Sequence, residues 1–339
     1  MRSMKGPFRF ASLLVATSIG DATAQTVVRP GEVWLDTAGK SVQAHGGGII
    51  RHAGRYYWFG EDRTPGNDPD KRYVGCYWST DLTRWTSCGP SFIMPTPQGF
   101  TAKWVLERPK VFYNRATRTF VLYAHIDDVG ADGKGYQLAQ VAVATSKRIE
   151  GPYRFVRRFR PLGKESRDIG QFIDDDGKAY LIFESRPSQG FYIASLSRDY
   201  LDVEREIAFV KAPIEGGAIV HYGGLYYVLG SQLTGWRPNP NWYATAKRLA
   251  GPWSAFTDVA PPETNTYRSQ SSNLIKVTGT RGTTVIYVGD RWEPKQLWDS
   301  RYIWMPLDIG KGTMRLPEPE PWSIDLQTGL ATTVAPIPE

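Results

Sequence analysis

The sequence is poor in the features that define several common protein classes. Only two cysteines occur in 339 residues, Cys76 and Cys88, and no cluster of His or Cys accompanies them, so a cysteine-based metal site is excluded. No run of five like charges appears, which argues against a nucleic-acid stripe. No apolar run after the first residues is long enough to span a bilayer. Almost no segment carries a helical period with caps, and no Ser- or Pro-rich linker divides the chain.

The first residues carry an export signal. Arg2, Lys5 and Arg9 form a basic start, Phe10 to Ile19 is a short, mostly apolar run, and Ala22-Thr23-Ala24 is a small-x-small cleavage site. Residues 1–24 are therefore expected to be a signal peptide, and 25–339 a single domain of about 315 residues in the periplasm or outside the cell. A retained anchor is the alternative. The formal charge of +7 falls to +5 once the three basic residues and Asp21 of the leader are removed. That excess is modest and dispersed, so a soluble monomer without nucleic-acid or membrane partners is expected. An oxidising compartment favours a disulfide between Cys76 and Cys88, which flank the turn Ser79-Thr80-Asp81-Leu82 between two strand-like runs. Two free thiols are the alternative.

What the chain has in abundance is aromatic residues, with 12 Trp and 18 Tyr. Such rings suit a core, and in an exported protein they also suit stacking on the apolar faces of sugars. They fall in short runs split by Gly, Pro, Asp and Asn, the pattern of an all-β chain. The runs repeat: Tyr56-Tyr57-Trp58-Phe59, Phe120-Val121-Leu122-Tyr123, Ala179-Tyr180-Leu181-Ile182, Tyr226-Tyr227-Val228-Leu229 and Val285-Ile286-Tyr287-Val288. After most of them comes a strand ending in a small or polar pair, such as Tyr77-Trp78-Ser79-Thr80 or Val143-Ala144-Thr145-Ser146. A spacing of about 45–65 residues fits four strands and their loops, hence a five-bladed β-propeller with blades near 32–95, 104–162, 168–212, 214–262 and 268–326. A two-sheet sandwich is the competing architecture.

In a propeller the innermost strand of each blade lines a central channel, so polar residues at the start of each repeat converge on one axis. Those segments read Gln43-Ala44-His45-Gly46-Gly47-Gly48, Glu107-Arg108-Pro109-Lys110, Ser166-Arg167-Asp168-Ile169-Gly170, Glu215-Gly216-Gly217-Ala218 and Ser269-Gln270-Ser271-Ser272. Any one of these acids has a plain structural alternative as a solvated turn or a salt-bridged residue. Their coincidence at equivalent places points to a shared site. Paired carboxylates there suit glycoside hydrolysis, in which a protonated acid serves the leaving oxygen and a second group serves the attacking water.

These segments, with Asp174-Asp175-Asp176-Gly177, Leu233-Thr234-Gly235-Trp236, Pro238-Asn239-Pro240 and Tyr267-Arg268-Ser269-Gln270-Ser271, resemble glycoside hydrolase family 43. The similarity is closest to its exo-β-1,3-galactanase subfamily, numbered 24, and extends over nearly the whole mature chain. The resemblance implies a five-bladed propeller, an inverting mechanism and release of galactose from the β-1,3-galactan backbone of arabinogalactans; no cofactor and no metal ligand are assigned. It implies Glu215 as general acid and Asp168 as the group that tunes and orients it. Gln270 would hold or activate the water, with Glu107 second for that role. Glu61, Tyr136, Thr234, Trp236, Gln43 and His45 would contact the sugar. The chain departs from the usual Glu-Ala-Pro acid segment, reading Glu215-Gly216-Gly217, and offers Gln43 and His45 where most of the family has a first-blade aspartate. Other family activities (α-arabinofuranosidase, β-xylosidase) and a non-catalytic glycan-binding propeller are the alternatives. Salt bridges from Glu61 to Arg63 or Arg72, and a core position for Trp236, are the plainer readings of those two residues. His125 and His221 receive no role, and the Asp174–Gly177 run reads as a hairpin turn ahead of a calcium loop.

Overall fold

Short runs of β-branched and aromatic residues, closed by tight turns, pair as antiparallel hairpins because each strand buries its side chains against the next sheet. The structure, a computed structural model, describes residues 27–130 and 135–334; the expected leader lies outside them. Five sheets radiate from one axis as a five-bladed β-propeller. Blade one is β1 (His45–His52), β2 (Arg55–Asp62), β3 (Lys71–Ser79) and β4 (Thr86–Pro95). Blade two is β5 (Val105–Asn114), β6 (Thr119–Asp127), β7 (Gln140–Ser146) and β8 (Arg154–Phe159). Blade three is β9 (Ile169–Ile173), β10 (Ala179–Ser185), β11 (Gly190–Leu196) and β12 (Val203–Lys211). Blade four is β13 (Ile214–Tyr222), β14 (Leu225–Gln232), β15 (Asn241–Ala246) and the short β16 (Thr257–Asp258). Blade five has three paired strands, β17 (Gln270–Thr278), β18 (Thr283–Arg291) and β19 (Arg301–Pro306). Strands follow chain order in every blade, and the inner strands β1, β5, β9, β13 and β17 pack around the axis, with β17 returning to β1.

The aromatic residues fill the spaces between blades. Between blades one and five, Trp58 lies 5.3 Å from Trp85, 4.8 Å from Trp304 and 4.6 Å from Tyr302 (ring centroids), and Trp34 closes the cluster from the chain's approach to blade one. The ring is sealed by backbone pairing of Val28 with Trp322, which joins the start of the described chain to the segment after blade five. No helix among the described residues is long and apolar enough to cross a membrane.

One expectation is corrected here. Cys76 and Cys88 are free thiols, Cys76 buried and Cys88 half-buried. Both lie on the expected hairpin, but β3 pairs Cys76 with Gly89, and a bulge lets Tyr77 pair with Ser87. Cys88 is the extra residue of that bulge, and its side chain still reaches that of Cys76 as a hydrogen-bonded thiol.

Three inner strands share a second bulge, and this one builds the site. It falls between His45 and Gly48, between Glu107 and Lys110, and between Glu215 and Ala218. In each, the residue after the leading polar side chain is left-handed: Gly46 at φ +58°, Arg108 at +55° and Gly216 at +64°. Glycine adopts this conformation without strain, whereas arginine incurs about 1–3 kcal/mol. The exception at Arg108 has a visible reason in what its side chain holds together, described below. Gly216 leaves no room for anything else, because a Cβ there would sit 2.6 Å from the Ser271 carbonyl oxygen. The Glu215-Gly216-Gly217 variation is therefore a glycine solution to the same bulge.

Candidate active site

The bulges of blades two and four, and the starts of the inner strands of blades three and five, each aim one polar side chain at the funnel: Glu107, Glu215, Asp168 and Gln270. The hydrogen-bonded neighbour on the second strand of the blade adds another. Glu107 pairs with His125, Glu215 with Ser231, Gln270 with Asp290 and His45 with Glu61, while the Glu184 N–H donates to the Asp168 carbonyl. Side chains two residues further along a strand face the same way, which brings in Arg63, Asp127, Arg186 and Trp292. The result is a polar cavity of about 290 Å³ at one end of the channel. Glu61, Glu107, Tyr136, Asp168, Glu215, Trp236 and Gln270 line it, seven of the ten residues expected to act on or contact the sugar.

The other three sit elsewhere. His45 is wholly buried beneath the cavity, stacked on Tyr302 at 5.0 Å, with Nδ1 3.4 Å from Asp290 Oδ1. Gln43 lies before β1 begins, and its Nε2 donates to the Trp298 carbonyl at 2.9 Å. Gln43 thus belongs to the lead-in to blade one, and His45, the first residue of β1, turns under the cavity. Thr234 folds the loop behind Trp236: its hydroxyl donates to the Arg237 carbonyl and accepts from Asn239 Nδ2. Trp236 itself is 40% exposed at the rim, a wall and not a core residue. Glu61 is both salt-bridged and in the cavity: Arg63 Nε donates to Oε2 at 3.0 Å, and Oε1 accepts the Arg108 N–H at 3.1 Å. The Asp174–Gly177 run is a hairpin turn, with the Asp174 N–H donating to the Lys178 carbonyl and the Gly177 N–H to the Asp174 carbonyl. Its Asp175 pairs with Lys276 and with His221, away from the cavity.

Arg108 explains its strained backbone. From blade two its guanidinium reaches across the axis to the Ser271 carbonyl (3.0 Å), to Gln270 Oε1 and to Asp168 Oδ2 (3.0 Å), joining three blades. Trp292 Nε1 also donates to Gln270 Oε1, at 2.8 Å. Both partners are donors only, so the amide must present its oxygen to them. Its Nε2 then donates to Glu215 Oε1 and Ser231 Oγ, both at 2.9 Å. The Gln270 oxygen is thus already occupied by two strong donors, and the amide group faces the acid. Asp168 Oδ2 also accepts the Gly216 N–H at 3.0 Å, which fixes Glu215 next to it. Below, the buried Lys110 ammonium holds the blade-one bulge through the Gly46 and Gly47 carbonyls at 2.7 and 3.1 Å.

The electrostatics separate the two central carboxylates. Burial of Glu215, reinforced by the Asp168 and Glu184 charges, pushes it up to about 8. Arg186 opposes this from 2.9 Å, but its side chain is 44% exposed and screened by water. Glu107 is buried as well, yet the His125 hydrogen bond and charge, with Arg63 and Arg108, outweigh burial and hold it below the ordinary glutamate range. Glu184, almost wholly buried beside Asp168, is pushed up to about 7 mainly by burial.

Sequence reasoning passed over Arg108, His125, Glu184, Arg186 and Trp292. For His125 and Glu184 a signal was present: each is a polar side chain near the end of the second strand of its blade, as Glu61 is in blade one. Arg63 and Arg186 then follow two residues after Glu61 and Glu184.

A five-bladed propeller whose axis opens into one cavity, where burial raises the Glu215 carboxyl and the surrounding cations lower that of Glu107, is the fold and site of a glycoside hydrolase. The chain belongs to glycosyl hydrolases family 43, whose family model matches residues 41–283. Among solved structures it is similar to an exo-β-1,3-galactanase of Phanerochaete chrysosporium crystallised with galactose. The identity is 38% over 91% of this chain and 71% of that one, with a TM-score of 0.82. A glutamate-to-glutamine variant of that enzyme with β-1,3-galactotriose is 37% identical over 92% of this chain and 71% of that one, TM-score 0.83. An exo-β-1,3-galactanase of Clostridium thermocellum is 34% identical over 92% of this chain and 69% of that one, TM-score 0.82. No curated protein matches the chain.

Proposed function

We propose that this enzyme removes galactose from the non-reducing end of β-1,3-galactan with inversion of the anomeric centre. The observation that carries the reading is the gathering of Glu215 and Glu107 in one cavity with opposite surroundings: burial and the Asp168 and Glu184 charges raise Glu215 to about 8, while the contacts with His125 and Arg63 lower Glu107 from its ordinary value. The similarity to galactanases solved with galactose and β-1,3-galactotriose supports the sugar and the linkage. Glu215 is the general acid. Asp168 holds the Gly216 N–H behind it and, as a nearby charge, keeps the acid protonated at neutral pH. Glu107 is the base. A water O–H gives its proton to the Glu107 carboxylate as the water oxygen bonds the anomeric carbon. The bond from that carbon to the glycosidic oxygen breaks, and the oxygen takes the Glu215 proton. Solvent then removes the proton from Glu107 and restores the one on Glu215.

Gln270, the first expectation for the water side, is reassigned to the acid side. Its oxygen already accepts from Arg108 and Trp292, and its N–H points at Glu215. An amide so held orients its neighbours but has little basicity to offer. Trp236 at the rim supplies a face for a sugar ring, and Tyr136 and Glu61 supply polar contacts within the cavity.

The proton states fix the sign of the pH dependence. The reactive form has Glu215 protonated and Glu107 ionised, so kcat/KM falls as pH rises through about 8 and falls again in acid, at a pH lower than that at which an ordinary glutamate takes up its proton. The check is kcat/KM on β-1,3-galactobiose from pH 3 to 10. Glu107→Gln should lower the plateau and abolish the acid limb. A profile still rising above pH 9 would contradict the assignment of Glu215.

A further inference from the structure

His125 lies on β6 with both ring nitrogens against carboxylates: Nδ1 is 3.3 Å from Glu107 Oε2 and Nε2 is 3.4 Å from Asp127 Oδ2. A neutral imidazole has one N–H and one lone pair, and a lone pair facing a carboxylate oxygen is repulsive. Both contacts are attractive only when the ring carries two protons. Asp127 is fully buried and cannot swing away, because its Oδ1 accepts the Asp128 and Leu138 N–H groups and its Oδ2 accepts that of Ala139, all at 2.9 Å. Tyr136 covers the imidazole at 5.9 Å and 21°, with its hydroxyl 3.4 Å from Glu107 Oε1.

We propose that His125, held as an imidazolium by Asp127, is the positioning residue that keeps the Glu107 carboxylate ionised and turned toward the water. The inference rests on the reading of Glu107 as base. His125 passes no proton in the reaction. It fixes Oε2 of Glu107, leaving Oε1 to face Tyr136, Arg63 (3.6 Å) and the cavity. The charged groups around Glu107 are His125 from β6, Arg63 after β2, Arg108 beside it, and Glu61 from β2, which opposes the cations. His125 itself sees Glu107, Asp127 and the Tyr136 ring. Burial alone would discharge the imidazole, but its hydrogen bonds to the Asp127 and Glu107 carboxylates push it up to about 9.

The test compares wild type, His125→Gln and Glu107→Gln on β-1,3-galactobiose, with kcat and KM measured across pH. In His125→Gln the acid limb of kcat/KM should move up by about 1–3 pH units, as removal of one adjacent opposite charge does. The plateau kcat should fall about tenfold or more, with KM within a few-fold. An unmoved acid limb, in an enzyme that Glu107→Gln inactivates, would overturn the role of His125 while leaving Glu107 as base. Full activity with an unchanged limb in Glu107→Gln would overturn the base assignment, and this inference with it. A nitrogen-15 spectrum of the wild type at pH 7 needs no variant to fold: of the four histidines, His125 should show both nitrogens protonated. A neutral imidazole there would also overturn the proposal.

Discussion

Glu215→Gln is expected to lower kcat on β-1,3-galactobiose by about 10²–10⁴-fold, the usual contribution of a general acid, with disaccharide affinity within a few-fold. The substitution keeps the shape of the side chain, and its oxygen can still accept from Gln270 Nε2 or Arg186, the two groups that hold Glu215 at 2.9 Å. What it removes is the proton needed by the departing sugar oxygen, a poor leaving group as an alkoxide. The loss should therefore shrink for an aryl galactoside whose phenol leaves without protonation. That contrast separates a missing proton from a damaged pocket, which would slow both substrates alike. It also separates an enzyme from a glycan-binding propeller, which has no turnover to lose. An equal loss on both substrates would contradict the assignment of Glu215.

Trp58→Ala should produce the largest loss of stability, about 3–5 kcal/mol on the scale of buried Trp-to-Ala changes. Trp58 is 1% exposed and touches rings from three places in the chain: Trp34 before blade one, Trp85 between β3 and β4, and Tyr302 and Trp304 of blade five. A blade cannot bury both faces alone, so the seam between first and last blades closes the ring. Deleting its central side chain leaves a void that the surrounding indoles cannot fill by rotamer changes. Urea unfolding followed by tryptophan fluorescence, with the slope of the transition compared between variants, measures the loss. A change below about 1 kcal/mol would mean that the seam is held mainly by backbone pairing such as Val28 with Trp322.

The repeat was legible because each blade writes the same hairpin, an aromatic strand after a Gly- or Asp-containing turn. The inner ring of Glu107, Asp168, Glu215 and Gln270 was legible because those residues open each repeat. The second ring was not. His125 and Glu184 lie near the ends of strands of otherwise apolar residues, where period-2 reading finds only core. His125 reaches the cavity where the bulge between Glu107 and Lys110 breaks the inner strand, whereas Glu184 stays buried behind Asp168 on a blade whose inner strand is regular. The role of Arg108 depends on a left-handed backbone that no propensity favours for arginine. Gln43 and His45 were misplaced for a related reason. The repeat located the start of β1 correctly, but the strand's side chains at that point turn into the Tyr302 and Asp290 layer under the cavity. The two cysteines were placed side by side as the turn suggested, and they meet as free thiols.

The central claim is inversion by a water activated at Glu107 against the acid Glu215. Proton NMR of β-1,3-galactan hydrolysis at early times tests it most directly, because the anomer first released records the face attacked. The account predicts galactose appearing first as the α-anomer and only later mutarotating toward equilibrium. Early release of the β-anomer would mean retention through a covalent intermediate, and would contradict it.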